Sequence, residues 1–192
     1  MLDPSGATED ADISFDIAQR LEGRLIALGV SVVLTRSKTS NPTESQRIEV
    51  ANGCGADLVI AFHTDKYPNE KASGVTTYYY GSDAHGVHSV VGEKFANLVQ
   101  REITARTDLL NNHTHPKTWT FLRLTKAPTV RVDLGYLTNP GDLAKLNDGA
   151  FRETIVESLM IAIQRLYLSA EEDAKTGTLR VSDLRKAGIR KD

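Results

Sequence analysis

The sequence is short of the features that mark specialised protein classes. It has one cysteine, Cys54, in 192 residues, so no intrachain disulfide can form. No apolar run approaches the ~18 residues needed to cross a bilayer, so no membrane span is expected. Net charge is −2, from 23 basic and 25 acidic residues. That excludes the strongly basic surface of a typical nucleic-acid binder. The first ten residues, MLDPSGATED, are acidic and lack an apolar h-region, so no secretory signal is expected there. Together with the single cysteine, this points to a reducing, cytoplasmic setting. What remains is an ordinary soluble composition, 40% apolar and 25% charged, in a chain long enough to bury one core.

The periodicities alternate between helix and strand. Ile13, Ile17, Leu21, Leu25 and Leu28 recur at helical spacing, and Gly29 ends the run. Residues 30–34 (VSVVL) read as a short apolar strand. Residues 43–52 read as a helix, with Thr43 and Gln46 spaced as a capping box. Residues 58–62 (LVIAF) and 74–80 (GVTTYYY) read as strands. An amphipathic helix is expected over about 85–106, with Val91, Phe95, Leu98 and Ile103 inward. Residues 119–124 and 129–134 read as two more strands. Asn139-Pro140-Gly141 reads as a turn, and Phe151, Ile155, Leu159, Ile163 and Leu166 mark a last helix. Such alternation predicts an α/β fold: one layered domain over residues 1–168, with a twisted, mostly parallel sheet flanked by helices. From Ser169 to Asp192 the chain is polar and has no aromatic residue. That stretch is expected to be a flexible C-terminal tail.

Three residues stand out chemically. His63 follows an apolar strand, at the edge where open α/β sheets bind ligands, and a neutral imidazole can ligate a metal. Asp133 lies within the apolar run VRVDLGY, where an ionised carboxylate is costly unless paired, hydrogen-bonded or bound to metal. Its only basic neighbour in sequence is Arg131. If strands 58–62 and 129–134 are neighbours, His63 and Asp133 open on the same edge. Asp10 precedes the first helix, where it also suits a cap or a solvated acidic patch with Glu9 and Asp12. His113 and His115 form an H-x-H pair in a polar stretch read as an exposed loop, and His85 and His88 read as surface residues at a helix start. Cys54 lies in a G-C-G turn with no basic neighbour and is not proposed as a nucleophile.

The stretches DISFDIAQRLEGRLIALGVSVVLTR, QRIEVANGCGADLVIAFHTD, GVTTYYYG and LRLTKAPTVRVDLGYLTNPGDLAKL, with a final helix ending RLY, occur in that order. In order and spacing over residues 9–168, the sequence resembles the zinc-dependent N-acetylmuramoyl-L-alanine amidases of the amidase-3 type. The resemblance implies a six-stranded α/β fold and a Zn²⁺ held by His, Glu and His, with a second Glu as general base. It implies cleavage of the amide between the muramoyl lactyl group and L-alanine. A family zinc histidine falls on His63, the zinc glutamate on Asp10 and the catalytic glutamate on Asp133. The other zinc histidine belongs to a D-P-G-H-G-G motif ending the first strand. Asp3-Pro4-Ser5-Gly6 is the only counterpart here and has no histidine, so that strand is expected to lie outside these 192 residues.

Aspartate is one methylene shorter than glutamate and reaches ~1.5 Å less far. Metal–ligand distances tolerate ~0.2 Å, and a ~1 Å misplacement of a catalytic group can cost ~100-fold. The expectation is therefore a catalytically degenerate amidase domain with little or no bound zinc. Within the family, the stretches RLEGRL, QREITARTDL and RLYL, with TGT in the polar tail, resemble actinobacterial CwlM-type proteins. That resemblance implies a cytoplasmic regulator of peptidoglycan precursor synthesis. Its partners would be a MurA-type enzyme, a Ser/Thr kinase and, as a further ligand, muropeptide. Thr176 and Thr178 in the tail are the candidate phosphorylation sites. The alternative expectation is an active zinc amidase, exported to the cell wall.

Overall fold

The structure, a computed structural model, describes residues 8–82 and 86–167, and the side chains of residues 8–10 lie outside that description. The tail with Thr176 and Thr178 also lies outside the described residues. The elements in order are α1 (Thr8–Ala27), α2 (Glu44–Gly53), β1 (Val59–Asp65), β2 (Val75–Ser82), β3 (Val87–His88), α3 (Val90–Arg106), β4 (Asn111–Lys117), α4 (Thr120–Leu124), β5 (Thr129–Tyr136), α5 (Pro140–Asn147) and α6 (Gly149–Tyr167). The layered α/β domain expected from the sequence is what forms. Its sheet is mixed. β1 and β5 pair in parallel, as do β2 and β4, while β2 runs antiparallel to both β5 and β3. The strand order is β1-β5-β2-β3, with β4 also on β2.

Strand alternation sorts the side chains. Phe62, Val75, Tyr79, Val130, Val132 and Leu134 point to one face. There they meet Ile13, Ile17 and Leu21 of α1, Phe95, Val99 and Ile103 of α3, and Ile155 and Leu159 of α6 in the main core. Val59 and Ala61 point to the other face and join Ile48, Ala51 and Phe121 in a smaller cluster under α2 and α4. The capping box of α2 forms as its sequence predicts: Gln46 N–H donates to the Thr43 hydroxyl, and the Thr43 N–H donates to the Gln46 side chain.

Several elements differ from the sequence reading. Residues 119–124 form a short helix, not a strand. Adjacent Phe121 and Leu122 are both buried, which a strand buried on one face would not allow. The polar NNHTHPK stretch is edge strand β4, not a loop. Backbone pairing with β2 holds it, helped by Thr77 and Thr114 hydroxyls 2.9 Å apart. Asn139-Pro140-Gly141 opens α5: Asn139 accepts from Asp142 N–H at 3.0 Å, and Pro140 takes the first turn, where no N–H is needed. The third helix starts at Val90, and Val91 is exposed rather than inward. Residues 30–34 are not in a strand.

Candidate functional site

β1 extends past residue 62, so His63 lies within the strand rather than after it. β1 and β5 are neighbours, and their register sets His63 opposite Asp133, with Ala61 opposite Arg131. β5 against β2 then sets Asp133 opposite Thr76 and Arg131 opposite Tyr78. Residues opposite one another share a face, so this polar row crosses the face opposite the main core. His63 is 3% exposed and Asp133 5%.

Arg131 holds the buried carboxylate. Its Nε donates to Asp133 Oδ1 at 2.6 Å, and its Nη2 donates to Oδ2 at 3.1 Å. The two-residue spacing in VRVD makes this geometry natural, because residues i and i+2 of a strand lie side by side. The guanidinium carbon also lies 4.9 Å from the centre of the Trp119 ring, and Tyr78 packs on that ring at 4.7 Å. The arginine is thus clamped between a carboxylate and an aromatic face. Burial pushes the Asp133 carboxyl above its ordinary value, against the pull of Arg131. Burial, with the nearby Asp133 charge, pushes the Tyr78 phenol up to about 12. Beside this group lies a cleft of about 500 Å³, lined by Glu44, His63, Thr118, Trp119 and Arg131.

His63 is held in its neutral form. Burial comes first, and the charges of Arg131 and Arg47 add to it, keeping the imidazole well below its usual range. The unfolded imidazole titrates near ~6.5, so on acidification the unfolded chain takes up this proton first. The contribution to stability is complete above ~6.5 and is lost as pH falls toward the depressed folded value. Urea unfolding between pH 7 and 5 should show this loss, and His63→Gln should flatten the curve there. An unchanged pH slope in the variant would count against a neutral, buried His63. Asp133 has the opposite sign: its raised folded value makes protonation favour the fold as pH falls.

The other candidates do not converge here. His115 and His113 lie on β4, three strand spacings from β1, or about 14 Å, and both are exposed. His115 Nε2 lies 2.8 Å from the Asn112 carbonyl. His88 belongs to β3 and pairs with Glu93 at 3.1 Å, while His85 lies outside the described residues. Cys54 caps α2 and is exposed. Asp10 lies in the first turn of α1, one turn later than expected from the sequence. Among the described residues no three His, Cys, Asp or Glu side chains group as a metal site. The described donors fit zinc poorly, because both oxygens of Asp133 face a guanidinium that a second cation would have to displace. The sequence reading noted Arg131 only as a neighbour and missed Trp119 as its platform. The i, i+2 spacing was the available signal for the first; nothing local signals the second.

The N-acetylmuramoyl-L-alanine amidase profile (Amidase_3) matches residues 3–165. The chain belongs to this family. N-acetylmuramoyl-L-alanine amidase CwlM of Mycobacterium tuberculosis is 40% identical over 181 residues, covering 94% of this chain and 44% of that protein. The germination-specific amidase of Bacillus subtilis is 26% identical over 180 residues, covering 84% of this chain and 72% of that one. An amidase from Clostridium difficile 630 superimposes with a TM-score of 0.74 at 21% identity, covering 81% of this chain and 82% of the other. The amidase fold is therefore shared at low identity. The chain spans less than half the length of its mycobacterial relative. Among the described residues, no helix of this amidase-family chain is long and apolar enough to cross a membrane.

Proposed function

We propose that this amidase-family domain does not hydrolyse the muramoyl–L-alanine amide and serves as a regulatory binding module for peptidoglycan precursor synthesis. One observation supports the first half of the reading: Arg131 engages both oxygens of Asp133, the residue on which the family resemblance would place the catalytic glutamate. A general base must be free to reach the proton it takes. Here the carboxylate is shortened by one methylene and held by a cation.

The second half rests on the likeness to CwlM-type sequences and on the polar tail. The partner of the module is a MurA-type enolpyruvyl transferase, and a Ser/Thr kinase acting at Thr176 or Thr178 controls the interaction. A phosphate there adds ~−1.5 to −2 charge, enough to recruit arginines of a partner. The protein works in the cytoplasm, where that transferase and its substrates are. Two assays test the reading together. Purified muropeptide incubated with the protein and Zn²⁺ should release no free L-alanine-terminated peptide. A MurA-type enzyme should turn over faster in the presence of the kinase-treated protein. Peptide release that disappears in His63→Ala would establish the zinc amidase instead, and a transferase rate unchanged by the phosphorylated protein would remove the regulatory half.

A further inference from the structure

Three guanidiniums converge on one buried carboxylate where α3 packs against α6. Glu102 is 4% exposed. Its Oε1 accepts from Arg101 Nε at 2.9 Å and Arg101 Nη2 at 2.8 Å, and Arg165 Nε lies 3.3 Å from the same oxygen. Its Oε2 accepts from Arg106 Nη1 at 2.5 Å. Burial by itself would raise the Glu102 carboxyl, but the arginines outweigh it and hold the carboxyl below its ordinary value. One carboxylate thus faces three cations. Among the described residues Arg101 and Arg106 pair with no other acid, so positive charge is left over. The Arg101 side chain is 54% exposed, which opens that charge to solvent.

The densest acidic run of the sequence follows close behind. α6 ends at Tyr167, two residues after Arg165, or about 3 Å of helix rise. Glu171-Glu172-Asp173, the one run of three consecutive acids in the sequence, begins four residues beyond Tyr167. It belongs to the stretch outside the described residues. Extended chain spans ~3.3–3.6 Å per residue, which gives the run a reach of roughly 13–20 Å from the helix end. That is ample for a return to the arginines. A tether this short holds the run at an effective concentration in roughly the millimolar range. Asp183, further along, lies among Arg180, Arg185 and Lys186 and suits a cationic cluster less. Single exposed ion pairs contribute little, but several charges in one arginine network contribute more.

We propose that the arginine cluster of α3 and α6 is the docking site of the chain's own acidic run, Glu171-Glu172-Asp173, with Arg101 and Arg106 as its main contacts. The run supplies the second set of carboxylates that the cluster's surplus charge calls for. The consequence is one of position. α3 and α6 cover the main-core face of the sheet, whereas the cleft of His63 and Arg131 opens on the other face. A run clasped at Arg101 stations the start of the tail on the helix side and leaves that cleft uncovered. Thr176 and Thr178, three and five residues past Asp173, are then carried along the same side. Because Arg101 is half exposed, the clasp is screened by salt. The inference does not depend on the regulatory reading, because neither a kinase nor a transferase enters it.

Trypsin cleavage after Lys175, two residues past the run, reads the population of the open tail when reclosing is fast. Each rate in the full chain is divided by the rate in a free peptide of residues 168–180 with the same sequence, in the same buffer. At low salt the full chain should be cut about tenfold more slowly than the peptide. At ~1 M salt, where the screening length is ~3 Å, the ratio should return to near one. Arg101→Gln, and separately the triple variant Glu171→Gln/Glu172→Gln/Asp173→Asn, should bring it there at low salt. The triple variant alters no residue of α3 or α6, so it decides the matter even where Arg101→Gln loosens the domain. A ratio near one at low salt would overturn the proposal. So would slow cleavage that neither salt nor the triple variant relieves. Slow cleavage only at concentrations where the chain dimerises would overturn it too, by assigning the arginines to the acidic run of a second copy.

Discussion

Arg131→Leu should destabilise the domain by about 3–5 kcal/mol, the usual cost of stranding one member of a buried ion pair. Asp133 is nearly inaccessible, and Arg131 is its cationic partner, through two hydrogen bonds of 2.6 and 3.1 Å. Without the guanidinium the carboxylate must ionise in an apolar sheet or take up a proton, and either costs free energy at neutral pH. Against a total stability of ~5–15 kcal/mol, the variant would sit near the edge of folding. The double variant Arg131→Leu/Asp133→Leu should recover most of the loss, because replacing both partners by apolar groups is often neutral. Chemical denaturation of the two variants is the measurement. A single-variant cost below ~1 kcal/mol would mean that Asp133 does not depend on Arg131.

Asp142→Ala should cost about 2–5 kcal/mol. The Asp142 carboxylate is 3% exposed, and one oxygen accepts both the Gly74 N–H at 2.8 Å and the Tyr136 N–H at 3.1 Å. It thereby joins the start of β2, the end of β5 and the first turn of α5. Truncation leaves two buried donors without a partner, at ~1–3 kcal/mol each. The backbone around it has little freedom to adjust. Gly74 has φ +101°, and a Cβ there would lie 2.2 Å from the Leu110 carbonyl oxygen; Gly135 has φ +141° and abuts the same carboxylate. Asp142→Asn keeps an acceptor in place and should cost less than half as much. Equal losses in the two variants would show that the charge, and not the acceptor, is what the turn requires.

The elements with long apolar periodicity were legible in the sequence, and so was the adjacency of His63 and Asp133, since both follow from strand alternation and a parallel neighbour. The misread elements are ones where local pattern carries little information. WTFLRL is a short apolar run that fits a strand or one helical turn equally well, and burial of adjacent Phe121 and Leu122 decided for the helix. NNHTHPK has no apolar alternation because its strand is held at the sheet edge by β2 backbone groups. The Arg131–Asp133 pair is written in the spacing VRVD, but the aromatic platform under Arg131 comes from Trp119, twelve residues upstream on another element, and from Tyr78 on a third. Residues 30–34 read as a strand because their side chains are those of one. Pairing with a neighbouring strand, which composition does not encode, is what they lack among the described residues.

Zinc titration of the protein by calorimetry at neutral pH, with His63→Ala alongside, tests most directly whether the carboxylate at the centre of the site belongs to a metal or to Arg131. The account predicts no stoichiometric zinc binding that depends on His63, and identical traces for the two proteins. One equivalent of tightly bound zinc, lost in His63→Ala, would contradict it.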